Sequence, residues 1–591
     1  MDAKERSIQE VFCDGRLLRI PFFQRSYTWE EANWERFNSD MQDLIGRDEK
    51  HKYFLGSLIL KEDKITTEEL DENVSSKFTV IDGQQRLTTL SIYLKALVNA
   101  LDETPAKRRF DNLFLYNYES PTPKLNHSVN DRAAYHDIML DGFNNLTKYK
   151  SDKVIKAYRY FQEQLKKLEP HKLQLLLRAI YNNITFVAIS LNNNDDEQQI
   201  FDTINSLGVK LTIDELMKNF LYDSENEVEY NNNWKPIFDT DSAMKFWKQD
   251  DAATSQAATA TNTVIYNFFF DFVRIKMWDY DLTSSDKDQF VKKNEVLETC
   301  KAFVGKYKAD KQELANEIIE YAKLYQKYFD KKNLFNATPS YSCIDRIALI
   351  SMVYNNAMRP YLLYVLHNVE DEAQRNDIFK FLETYMVRRA ICKSDNRTSE
   401  LWTEQLIRQR INTVDSLKKH IMNLDAEKSN HMPSDNEVIS AIKSNDLDKN
   451  AKMVLYLWES RVNREHIHGY NYFVEKQIIP TPGAKNKTTY PPYEDVEKEA
   501  QRKRNVKTLG NYLLLNLWKK NISQEEIDRE IKIVSKNDHK VFAEKKKGIQ
   551  AYVENVSCMN WFKNQISWSE DDIIKRNSTL AKYVNEKFWT I

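Results

Sequence analysis

The sequence predicts an α+β chain that is predominantly helical. Three observations lead there. Short β-branched and aromatic runs crowd into residues 1–95. From 96 to about 440, apolar residues recur at helical spacing, and Gly and Pro are sparse. One clear strand pattern, NITFVAISL at 183–191, interrupts that helical stretch.

Each element follows from local pattern. SIQEVF (7–12) is an amphipathic helix and LLRIPFF (17–23) is strand-like. Between Trp29 and Ile45, the spacing of Trp34, Phe37, Met41 and Leu44 predicts a helix. YFLGSLIL (53–60) and KFTVI (77–81) read as short strands. Asp82-Gly83 is a turn signal, and the long apolar-periodic run after it predicts a helix. DAATSQAATATNT (251–263) has no apolar stripe and reads as a loop or helix connection. The polar stretch 424–437 is the best boundary. The expected division is therefore an α/β core at 1–95, a helical middle at 96–440 and a second module at 441–591.

Composition narrows the function. The chain has 591 residues but only 11 Gly, and the closest two, Gly46 and Gly56, are ten apart. A P-loop needs two glycines five apart, and a dinucleotide turn needs three within six residues. Neither is possible, so a nucleotide site here must be built another way. Net charge is −2, from 86 basic and 88 acidic residues, so nucleic-acid contact requires local patches. Candidates are Arg502-Lys503-Arg504 with Lys507, Lys545-Lys546-Lys547, and Arg388, Arg389 and Lys393. No apolar run approaches a membrane span, and MDAKERSIQEVF is not a signal peptide. Five scattered Cys (13, 300, 343, 392, 558) without a CxxC pair fit a reducing, cytoplasmic compartment.

Three N-terminal motifs carry chemistry: Pro21 to Trp29, Ile81 to Leu90, and Phe201 to Asn219. In the second, a strand ends in Asp82-Gly83 and a helix opens at once with Gln84-Gln85-Arg86. The N–H groups of a helix N-terminus favour an anion, and Gly83 lets it approach the backbone. Arg86 in the first turn is disfavoured by the helix dipole unless a phosphate is bound there. Asp82 suits a metal or a water, and the two glutamines suit phosphate oxygens or a base. The alternative is a helix capped by Asp82, with Arg86 in a surface ion pair. In the third motif, Thr212 and Glu215 form a capping box.

The run IPFFQRSYTW, YFLGSLIL, TVIDGQQRLTTL and FDTINSLGVKLTIDELMKN resembles the GmrS-like domain of GmrSD-type modification-dependent (type IV) restriction endonucleases, over about residues 6–220. The resemblance implies a ParB/sulfiredoxin-like fold. It also implies a nucleotide-binding and hydrolysing site at Asp82, Gly83, Gln84, Gln85 and Arg86, with Gln24 and Arg25 as its second wall.

A second constellation lies in the tail. An HNH nuclease needs a His to deprotonate water and a divalent ion held by a carboxylate and an Asn or His. Glu465, His466, Asn511 and Asn521 have the order of such a ββα-metal site. His466 is then the base, Asn511 positions the His or its loop, and Glu465 and Asn521 hold the ion. Asn516 and Asn537 are alternative third residues, and His468 is an alternative base. The tail, from EHI through LGNYLLL to WSEDDIIKRNSTLAKYVNEKFW, resembles the GmrD-like HNH domain over about 455–591. It departs from that family at His468-Gly469, where a Pro is usual. The closing helix around Arg576 is expected to pack rather than react.

The joint expectation is a nucleotide-regulated DNA endonuclease that restricts modified phage DNA. Its cofactors would be Mg2+ (or Mn2+) at the HNH site and an NTP (GTP, CTP, UTP or ATP) at the N-terminal site. Its partners would be DNA and the nucleotide, with no membrane; a homodimer is left open. Two alternatives remain: a nucleotide-gated DNA-binding defence protein with a degenerate nuclease module, and an RNA-targeting abortive-infection nuclease.

Overall fold

A computed structural model describes residues 2–12, 15–21, 24–46, 52–65, 74–101, 104–116, 122–127, 129–140, 152–191, 211–222, 226–249, 263–290, 292–336, 342–424, 430–447, 450–463, 467–481, 493–518 and 539–591. They form a predominantly helical α+β chain with one mixed sheet of six strands. The chain divides into two compact units, Met1–Asn232 and Asn233–Ile591.

The first unit is built on that sheet. Its strands are β1 (Asp2–Ser7), β2 (Arg16–Arg19), β3 (Tyr53–Asp63), β4 (Ser76–Asp82), β5 (Leu125–Asn126) and β6 (Ile184–Leu191). They run in the order β1-β6-β3-β4-β2-β5. β1 pairs antiparallel with β6, and β3 antiparallel with β4; the other pairings are parallel. The short helix α1 (Ile8–Val11) opens with a Ser7–Glu10 capping box, and α2 (Glu31–Gln42) buries Trp34, Phe37 and Met41, as their spacing predicts. β1 has the sequence DAKERS, which carries no alternation, so its strand state comes from pairing with β6 about 180 residues away.

Helix α3 (Gln84–Asn99) follows β4 and lies in the core of this unit. It is buried on nearly every face from Leu87 to Val98. It packs against α4 (Lys153–Leu165) and α5 (Pro170–Asn183). Tyr93 meets Phe37 at 5.5 Å and Phe161 at 5.0 Å between ring centres, in edge-on arrangements. On the other face of the sheet Ile59, Ile81 and Leu191 form a smaller apolar cluster with Ile189 and Leu211. Leu211 leads into α6 (Ile213–Leu221), which starts with the Thr212–Glu215 capping box. Residues 201–208 of the third motif lie outside the described residues.

The second unit is mainly helical. Helix α7 (Val264–Lys276) is fastened by two buried ion pairs, Asp271 to Arg359 on α8 (Arg359–Asn368) and Arg274 to Glu404. Helix α9 (Glu372–Cys392) is buried without a break from Phe381 to Ile391. Helix α10 (Ala451–Val462) packs on an antiparallel hairpin of β7 (Phe473–Gln477) and β8 (Tyr512–Asn516). Between the strands lies α11 (Val496–Asn505), and α12 (Glu570–Tyr583) covers the start of β8.

The basic clusters are corrected by this packing. Arg388 and Arg389 are not surface cations: both are buried in α9. Arg388 donates to the Pro433 and Trp589 carbonyls and pairs with Asp435; Arg389 donates to the His431 and Asp395 carbonyls. A helix buried on all sides turns adjacent residues inward together, which a charge run in the sequence cannot reveal. Arg502 is also buried, over the Tyr493 ring, and Lys507 pairs with Asp446 at 2.9 Å. Lys546 donates to the carbonyls of Lys563 and Gln565. Lys503 and Arg504 stay exposed.

Candidate functional site

The β4–α3 turn has the geometry its sequence suggests. Gly83 is the N-cap of α3 with φ +102°, a conformation glycine adopts at no steric cost. A Cβ there would also lie 2.4 Å from a Leu58 methyl. Among the described residues no side chain caps this helix, so its first N–H groups have no side-chain acceptor there. Arg86 folds back over β3. Its Nη2 donates to the Ser57 carbonyl at 2.6 Å and to Asp82 at 2.8 Å, while its Nε is buried without a partner. Gly56 makes room for it, since a Cβ at that position would sit 2.8 Å from Nη1.

The other wall is the loop at 24–28. Three glutamines sew it to the turn. Gln24 donates to the Ile81 carbonyl at 2.6 Å, and Gln84 to the Arg25 carbonyl at 2.6 Å. Gln85 accepts from the Thr28 N–H at 2.9 Å and donates to the Ser26 carbonyl. Their donors are therefore committed to backbone, and they act as fasteners of the loop. Arg25, on that loop, is half-buried, and its guanidinium has no hydrogen bond or ion pair among the described residues. Two cations, Arg25 and Arg86, thus come from opposite ends of an uncapped helix start.

A polar layer lies beneath. The Tyr27 hydroxyl meets Thr89 at 2.7 Å and accepts from the Trp34 indole at 3.0 Å. Asp131 accepts from the Tyr27 N–H at 2.7 Å. His127 contacts Thr88 at 2.9 Å, and burial holds its pKa down at about 3, so the ring is neutral. Asp131 and His127 escaped sequence reading because nothing local marks them; they reach the motif only through the fold.

In the second unit, Glu465, His466 and Asn521 lie outside the described residues, as does Asn537. Asn511 is described and fully buried. Its amide donates to the Ile479 and Val506 carbonyls at 2.6 and 2.7 Å and accepts from the Ile479 N–H at 3.0 Å. It is a clamp across the base of the hairpin. Helix α12 adds a second clamp. Arg576 donates to the Gly510 and Tyr512 carbonyls, and Asn577 accepts from the Gly510 N–H at 2.7 Å. Gly510 is required by this approach, because a Cβ there would meet the Ile573 carbonyl at 2.7 Å. Burial lowers the Arg576 pKa to about 9.

At the other end of the hairpin, the Leu517 N–H donates to the Tyr472 carbonyl at 2.8 Å. His468 stacks on Trp518 at 4.6 Å and 11°. Asn516 ends β8 and accepts from the Trp518 N–H at 3.1 Å. Among the described residues no group of His, Cys, Asp or Glu forms a metal cluster, and no helix is long and apolar enough to cross a membrane.

The first unit is thus a mixed α/β domain with an anion-ready strand–turn–helix. Residues 8–222 match the family model for the N-terminal domain of the GmrSD restriction endonuclease. The chain carries that domain within its first 222 residues. No curated protein matches the chain.

Proposed function

We propose that this chain is a nucleotide-regulated DNA endonuclease that restricts modified DNA. The carrying observation is the uncapped N-terminus of α3 at Gly83, flanked by Arg86 with an orphaned buried Nε and by Arg25, which has no partner among the described residues. A triphosphate fits that chemistry. The α3 N–H groups and the two guanidiniums bind phosphate oxygens, and Asp82, now paired with Arg86, is released to orient water. Gln24, Gln84 and Gln85 hold the loop in place. The strand–turn–helix arrangement supports the ParB-like reading of this domain.

The hairpin supports the HNH reading of the second unit. Asn511 clamps its base, and His468 and Trp518, which are close in sequence to His466 and Asn521, stack on each other. In this reading His466 would take the proton of the attacking water. Glu465 and Asn521 would hold a Mg2+ or Mn2+ ion, which supplies charge stabilisation for the phosphate. The helical part between about 233 and 440 supports the hairpin.

The test is a cleavage panel of plain, glucosylated and phosphorothioate DNA, with RNA as control, with Mg2+ and with each NTP or none. NTP-dependent cutting of one modified DNA, abolished by His466→Ala, is the expected result. DNA binding without cutting under any metal sinks the nuclease reading, and preferential RNA cutting redirects it.

A further inference from the structure

Helix α10 carries one cation that its surroundings oppose. Met453 to Trp458 are all buried, and Lys452 sits among them in the first turn, half-buried. Desolvation pulls its pKa below the ordinary lysine range, with Glu475 on β7 acting weakly in the other direction. A helix N-terminus disfavours positive charge as well. Glu475 offsets these costs only in part, since Lys452 makes no hydrogen bond or ion pair among the described residues. Its Nζ lies over the Tyr470 ring, 4.1 Å from the centroid.

The location is specific. Tyr456, one helical turn along, meets Tyr470 at 5.0 Å and donates its hydroxyl to the His468 carbonyl at 2.9 Å. The Lys452–Tyr456 face therefore grips residues 468–470, the segment that directly follows Glu465-His466. A methionine would pack on Tyr470 equally well without the charge.

We propose that Lys452 binds a backbone phosphate of the nucleic acid at the hairpin, its ammonium held in place by the Tyr470 ring. This rests on the hairpin being the cutting module. A bound phosphate supplies the direct ion pair that Lys452 lacks among the described residues and fixes the strand beside the motif. Lys452 is a positioning residue: it orients the strand and takes no proton.

Binding and cutting are read separately. A short fluorescein-labelled duplex is titrated against salt in EDTA, using the full chain with His466→Ala. Adding Lys452→Met should make the slope of log K against log salt shallower by about one, the signature of one lost phosphate contact. Lys452→Arg should restore the slope. Without DNA, Lys452→Met should melt no lower than its parent, since a desolvated charge has gone. An unchanged slope overturns the proposal and leaves the nuclease reading standing. So does a slope lost together with melting temperature and not rescued by Arg. Undiminished cutting by the His466→Ala chain in Mg2+ overturns the nuclease reading, while the slope still reports on Lys452.

Discussion

The Arg461 guanidinium donates to the Glu383 carboxylate at 2.9 Å, inside the second unit, where the Glu383 side chain is fully shielded from solvent. Arg346 reaches the other oxygen at 3.0 Å, and the Trp589 indole donates to the first at 3.2 Å. Arg461 also donates to the Phe588 carbonyl. One carboxylate thus joins helices from either side of residue 440 to the last turn of the chain.

Removing that charge should be costly. Burial alone raises the Glu383 pKa, but Arg346 and Arg461 hold it below the ordinary carboxylate value. Glu383→Gln leaves two guanidiniums without their anion and should destabilise the unit by about 3–5 kcal/mol. Because the folded pKa is lowered, this stabilisation is present above the unfolded value and is lost as pH falls through the folded one. Urea unfolding at pH 7 and in acid checks both. A loss under about 1 kcal/mol at neutral pH would count against the cluster.

Gly510→Ala should also destabilise. The new methyl would lie 2.6 Å from Asn577 Oδ1 and 2.7 Å from the Ile573 carbonyl, both on a packed helix. The expected cost is about 1–3 kcal/mol, with α12 displaced from the hairpin. Thermal melting and proteolysis of the tail measure it. A neutral substitution would show that α12 is loosely held.

At the first site, Arg86→Ala and Gln85→Ala should behave differently. Arg86→Ala removes a phosphate partner and should abolish NTP turnover, and the lost contacts to Ser57 and Asp82 should cost about 1 kcal/mol. Gln85→Ala strands the Thr28 N–H and should cost about 1–3 kcal/mol, weakening nucleotide binding through the loop. Isothermal titration with each NTP, beside melting curves, separates the two. Full turnover by Arg86→Ala would remove the assignment.

The buried His127 predicts acid sensitivity of the first unit. Its folded pKa, about 3, lies below the ordinary histidine value of about 6.5. The unfolded state therefore binds the extra proton between those values, and stability falls as pH drops below about 6.5, by up to about 1.4 kcal/mol per pH unit. His127→Gln should flatten that slope. A variant with the parent's pH dependence would place the sensitivity elsewhere.

Much of the first unit was legible from local pattern. The helix over 31–42, strands β3, β4 and β6, and the Gly83 turn each follow from spacing or a turn signal a few residues long. Such signals survive because one face of each element must be apolar or one backbone angle must be special. The site was legible as a place but not in its division of labour. Whether a glutamine meets a ligand or a backbone carbonyl depends on which loop lies opposite, and Arg25 and Arg86 are 61 residues apart in sequence.

By itself, the sequence determined where the strand–turn–helix lies, that no P-loop exists, and which helices start where. Only the tertiary structure decided which charges are surface and which are core. It turned Arg388, Arg389 and Arg502 inward to satisfy carbonyls and carboxylates, and left Arg25 and Lys452 without an ion pair among the described residues. The reason is physical. Charge is a property of one residue, but the cost or use of that charge is set by partners that chain folding brings from far away.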